Sequence, residues 1–165
     1  CIRDSLYADD TIQHAGVVVG LGGVAAHVLC KLPRDAEGYM GRLRCVQEIS
    51  AVTAACMMVK TSVFKAVGGF DEELKVAFND IDLCMKVRKY GVKIVFTPYA
   101  ELYHYESKSR GMEDTPEKQL RFSREVNCFR RKWERELLKG DPYYNPNLTL
   151  NNTDCSLRKQ EKNGD

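Results

Sequence analysis

The strongest constraint on the fold is an eleven-residue amphipathic segment set between two short apolar runs. From Asn79 the chain reads Asn-Asp-Ile-Asp-Leu-Cys-Met-Lys-Val, with Ile81, Cys84, Met85 and Val87 on one helical face. Asn79 suits an N-cap, Asp82 falls three residues later among the free amides, and Gly91 suits the left-handed residue after the helix. Ile49 to Val59 before it and Val92 to Phe96 after it read as strands, as do Thr11 to Val19 and Ala100 to Tyr105. A short helix is expected over Ser62 to Val67, stopped by Gly68-Gly69. This alternation predicts an α/β fold. With 44% hydrophobic and 29% charged residues, disorder of the whole chain is excluded.

Beyond Gly111 the pattern changes. Thr115-Pro116 is a capped helix start. Phe122, Val126, Phe129, Trp133 and Leu137 recur at helical spacing down to Gly140, and packing explains that stripe better than any cofactor does. The opposite face is basic but interrupted by Glu117, Glu125, Glu134 and Glu136; with a net charge of +2 this argues against nucleic acid as the partner. The polar tail after Asp141 is expected to wrap the surface and fray. Seven scattered cysteines without a CxxC pair predict reduced thiols and a cytoplasmic setting. The apolar stretch from Ala15 to Ala26 is too short for a transmembrane segment, and no leader is legible.

Three groups could carry chemistry. Asp80-Ile81-Asp82 resembles a DxD metal motif, but carboxylates two apart on a helix point about 200° from each other. One faces a site and the other caps the helix; Asp80 is assigned to the site and Asp82 to the cap, with exchange of the two roles left open. His104 ends an extended run between Tyr103 and Tyr105, and Arg110 lies on a polar segment that suits an anion. His14 and His27 have no partner visible by spacing. Gly20-Leu21-Gly22-Gly23 lacks the lysine of a phosphate loop and reads as a turn.

The order of these blocks is more specific than any one of them. Ser50-Ala-Val-Thr-Ala-Ala-Cys-Met-Met-Val, Val67-Gly-Gly-Phe-Asp-Glu72, Phe78-Asn-Asp-Ile-Asp-Leu-Cys84 and Leu102-Tyr-His-Tyr-Glu-Ser107 together resemble family 2 glycosyltransferases. The likeness is to the bacterial polysaccharide and O-antigen subgroup, over roughly Thr11 to Gly111. It implies a partial GT-A fold, the acceptor-side half, over residues 1–111, then a long C-terminal helix over 112–140 and a tail over 141–165. It also implies a nucleotide-sugar donor, a glycan or lipid-linked acceptor, an inverting displacement and a divalent metal, Mg2+ or Mn2+. On that likeness Asp80 is the catalytic base, His104 a metal ligand, and Arg110 with Asp82 the substrate and diphosphate contacts; Asn79 stands where the family has Glu. The setting implied is the cytoplasm or the inner face of the membrane.

The family's nucleotide-binding strands and true DxD have no counterpart before Thr11. The chain is therefore expected to be half of a longer enzyme, inactive alone. Its exposed edge along Ile49 to Val59 is expected to pair in a homo-oligomer or to be covered by the Thr11 to Val28 segment. A non-catalytic module of the same ancestry, binding a glycan or a partner, is the alternative.

Overall fold

The structure is a computed structural model and describes residues 5–105 and 115–159. It is a mixed α and β chain in which the strands are short and fall into three separate pairs. β1 (Ser5–Leu6) runs parallel to β6 (Leu102–Tyr103), β2 (Val17–Val19) antiparallel to β3 (Ala25–His27), and β4 (Gln47–Glu48) antiparallel to β5 (Val95–Phe96). The helices are α1 (Thr61–Ala66), α2 (Asn79–Lys89), α3 (Pro116–Lys132) and α4 (Glu134–Lys139). One core of aliphatic and aromatic side chains joins them, with Phe96 and Phe129 fully buried. Each such ring contributes about 2–3 kcal/mol of burial.

Helix ends follow the expected chemistry with one shift. Thr115 Oγ1 accepts from Lys118 N–H at 3.4 Å above Pro116, so α3 starts where the sequence places it. Gly91 takes a positive φ of 88° and closes α2. The residue before α2, however, is Phe78, in left-handed backbone, and Asn79 is the first helical residue. The expected single helix to Gly140 is divided at Trp133, where φ and ψ leave the helical region (−114°, 20°).

Two of the expected strands are mostly not strands. From Thr11 to Val19 the chain changes partner every few residues: Ile12 bonds Leu32, Gln13 and His14 both donate to the Ser5 carbonyl, and Val17 donates to Ala51. From Ile49 to Val59, burial stops after Val52 and the chain turns through a single 3-10 turn, Ala54–Cys56. The amides of Thr53 and Ala54 are taken by side chains, so no ladder can continue there. The antiparallel bridge between Val17 and Ala51 lays the Thr11 to Val28 segment against this run.

The tail differs most from expectation. Tyr144, Leu148 and Cys155 are buried in the core. The tail also completes the β2–β3 hairpin: Gly22 N–H donates to the Leu150 carbonyl, Leu29 N–H to that of Thr153, and Val19 N–H to Asp141 Oδ2 (2.8 Å). A polar composition hid these contacts because the three anchors stand among prolines, asparagines and charged residues. Among the described residues no helix is long and apolar enough to cross a membrane.

Candidate functional site

Asp80 lies in the first turn of α2, half-buried, and both its oxygens are oriented by backbone. Oδ1 accepts from Ile81 N–H at 2.8 Å and Oδ2 from Ala54 N–H at 3.0 Å. Each carboxylate oxygen has two lone pairs, so one on each remains for another group. The carboxylate is fixed without being consumed. The positively polarised helix start also favours an anion at this place.

Asp82 has a different surrounding. It is 0% exposed, and the indole Nε1–H of Trp133 donates to its Oδ1 at 2.8 Å. Lys132 Nζ lies 2.8 Å from the same oxygen and Lys86 Nζ 3.1 Å from Oδ2. Asp82 therefore does not cap α2, as its position in sequence suggested. Its side chain turns into the core, where an unpaired carboxylate would be untenable. Lys132 also pairs with Asp71 and holds that carboxyl below the usual range.

His104 Nδ1 meets Gln13 Oε1 at 2.9 Å, and its backbone amide donates to the Leu6 carbonyl across from β1. The ring is half-buried. Alternation along the strand puts it on the face opposite the exposed Tyr103 and Tyr105. Arg110 lies outside the described residues. Among the described residues no three His, Cys, Asp or Glu side chains gather as a metal ion would need. A hard divalent cation takes about six oxygen or nitrogen ligands, and His104 supplies one. The described residues thus do not make a complete metal site.

The histidines without visible partners turn out to be partners of each other. His14 is 2% exposed, and its Nδ1 lies 2.7 Å from His27 Nδ1. Its Nε2 accepts the Thr53 N–H at 3.2 Å, from the residue before Ala54. Burial, with the cost of a second positive charge beside His27 adding, pushes the His14 imidazole well below its ordinary 6.5. The antiparallel register that sets Val17 opposite His27 is what unites them, and sequence spacing carries no sign of it.

Glu125 was also unforeseen. Placed on the basic face by the sequence reading, it is 3% exposed and accepts from Val76 N–H (3.3 Å) and Ala77 N–H (2.7 Å) just before α2. A signal existed: Glu125 is three residues after Phe122 and four before Phe129, hence on the buried stripe.

A cleft of about 540 Å³ between α2 and α4 includes neither Asp80 nor His104. Three of its cations are already engaged, Lys89 with Glu136 and over the Trp133 ring, Arg88 over Tyr143, and Lys93 with Glu48. It is a packing groove more than a reaction site. Cys84, on the buried face of α2, has its thiol pushed up to about 12 by burial, which makes it inert.

The chain is 56% identical over 159 residues to an uncharacterized protein of Sinorhizobium fredii, covering 95% of the chain and 17% of that protein. It is 38% identical over 161 residues to an O-antigen biosynthesis protein of Myxococcus xanthus, covering 97% of the chain and 12% of the relative. A third likeness, 36% over 62 residues, is to an N-acetylglucosaminyl-diphospho-decaprenol L-rhamnosyltransferase of Mycobacterium tuberculosis, covering 38% of the chain and 20% of that enzyme. The chain thus spans less than a fifth of the length of the first two curated relatives. No protein-family model and no solved structure matches it. The relationship to glycosyltransferases expected from the motif order is supported by relatives named for O-antigen biosynthesis and for rhamnosyl transfer.

Proposed function

We propose that this chain carries the acceptor-side part of a glycosyltransferase site that builds bacterial surface polysaccharide. Asp80 is its base. The acceptor hydroxyl attacks the anomeric carbon of a nucleotide-sugar, the bond to the diphosphate breaks with its electron pair leaving on phosphate, and the hydroxyl proton passes to Asp80. Attack opposite the leaving group inverts the anomeric centre. The observation that carries this reading is the Asp80 carboxylate, held by two backbone amides with lone pairs remaining at the start of a helix. A carboxylate so oriented can take a proton in a defined direction.

Asp82 serves the fold in this scheme, since its charge is taken by two lysines and an indole below the surface. A divalent metal would add a Lewis acid for the departing diphosphate, with His104 as one ligand; no step above depends on it. Arg110 is assigned to the diphosphate on the resemblance alone.

Asp80→Asn, made in the full protein that transfers sugar, is expected to lower turnover about 10²–10⁴-fold with donor binding nearly unchanged. Asp82→Asn is expected to lower stability, while turnover per folded molecule stays within a few-fold. Turnover retained by the first variant and abolished in the folded second variant would reverse the assignment.

A further inference from the structure

The turn that orients Asp80 is itself held by a histidine. Thr53 N–H donates to His14 Nε2 and the next amide, Ala54 N–H, to Asp80 Oδ2. Consecutive peptide planes share a Cα, so fixing one restricts the other to two backbone angles. A backbone N–H can only donate; His14 Nε2 is therefore the acceptor and its proton sits on Nδ1. That Nδ1–H donates to His27 Nδ1, which must then be unprotonated. The whole pair is fixed in one tautomeric arrangement by the amide at its buried end. His27, at the end of β3, is solvent-exposed and connects the buried ring to water.

We propose that His14 is a positioning residue for Asp80, and that the His14–His27 pair is a proton-sensitive latch holding the Thr53–Ala54 turn when neutral and releasing it when protonated. The effect on turnover rests on the reading of Asp80 as the base; the effect on the turn does not.

An added proton has two places to go. On His27 Nδ1 it would set two N–H groups facing each other at 2.7 Å. On His14 Nε2 it would remove the lone pair that receives Thr53 N–H. Either way one link becomes donor against donor and opens. Among the described residues, the groups joined to this chain of bonds include His27 from β3, Asp80 from α2 through Ala54, and His104 after β6 through Gln13; the Cys30 thiol donates to the Gln13 carbonyl. His14, held well below the ordinary histidine range by burial, is neutral at pH 7 and gains a proton only on acidification beyond that range. The latch is thus closed at neutral pH and opens on acidification.

NMR on the intact chain tests this without substrate. Long-range ¹H–¹⁵N correlation is expected to show His14 as the Nδ1–H tautomer at pH 7.5. On titration downward, the protection factors of the Thr53 and Ala54 amides, corrected for intrinsic exchange, should fall roughly five-fold, the worth of one net hydrogen bond, in step with the imidazole signals. In His14→Gln the side-chain oxygen can still accept Thr53 N–H, so protection should persist and its pH dependence vanish. In His14→Leu protection should be lost at every pH. An Nε2–H tautomer for His14, or amides that ignore the imidazole titration, overturns the latch. Should His14→Leu fail to fold, the wild-type titration and His14→Gln still decide. Turnover retained by Asp80→Asn alongside a responding turn would sink the base and leave the latch; the opposite pair of results would sink the latch and leave the base.

Discussion

Asp82→Asn separates a buried electrostatic anchor from an ordinary helix cap. A first-turn acid at a helix surface contributes about 0.3–1 kcal/mol. In this structure the carboxylate is fully buried and meets Trp133, Lys132 and Lys86 within 3.1 Å. Removing one partner of a buried pair costs about 3–5 kcal/mol. Two features reduce that here: the lysine side chains are 32% and 19% exposed, and each keeps another partner, Asp71 for Lys132 and the Gly69 carbonyl for Lys86. Asn also retains an oxygen for the indole. The expected loss is therefore about 2–3 kcal/mol. Urea unfolding followed by the fluorescence of Trp133, the chain's one tryptophan and 2% exposed, reads this directly. With a slope of about 2 kcal/mol per molar, the midpoint should fall by about 1–1.5 M. A Lys132→Met variant combined with it should cost less than the sum of the two. A loss below about 0.5 kcal/mol, or strict additivity, would refute the anchor.

Glu125→Ala should cost about 2–3 kcal/mol in the same assay, because it strands the Val76 and Ala77 amides, and exchange protection at those two residues should drop with it. Gly38→Ala should cost about 2–4 kcal/mol and lower the melting temperature by about 5–12 °C in calorimetry. Its backbone has φ of 69°, and a Cβ would sit 2.7 Å from Leu43 Cγ, a side chain 1% exposed.

What could be read from the sequence was local. Pro116 behind a threonine, Gly91 after an apolar helix face, and Gly68-Gly69 after Ala66 act through their own backbone, and each marks a boundary within about a residue. That the two acids of α2 point apart was also legible, from the angle between alternate residues on a helix, whereas which of them is the accessible one depended on Trp133. What failed depended on partners distant in sequence. The Ile49 to Val59 run has the composition of a strand, yet Thr53 and Ala54 give their amides to His14 and Asp80, which are 39 and 26 residues away. The tail reads as a polar coil, because Tyr144, Leu148 and Cys155 stand among polar residues and enter the core as separate anchors. Propensity has no access to such contacts.

The two acids of α2 are linked through the rotation of that helix. Trp133 lies on the apolar stripe of the C-terminal helix, so its ring is driven inward, and a buried indole N–H requires an acceptor. Asp82 is that acceptor, and accepting at 2.8 Å fixes which side of α2 faces Trp133. A residue two positions earlier points about 200° away. Asp80 is therefore turned from the Trp133 side toward the 53–56 turn, where Ala54 N–H meets it. The pairing that looked like a metal motif in sequence is, in the fold, one carboxylate that sets the angle of the helix and another that the angle presents.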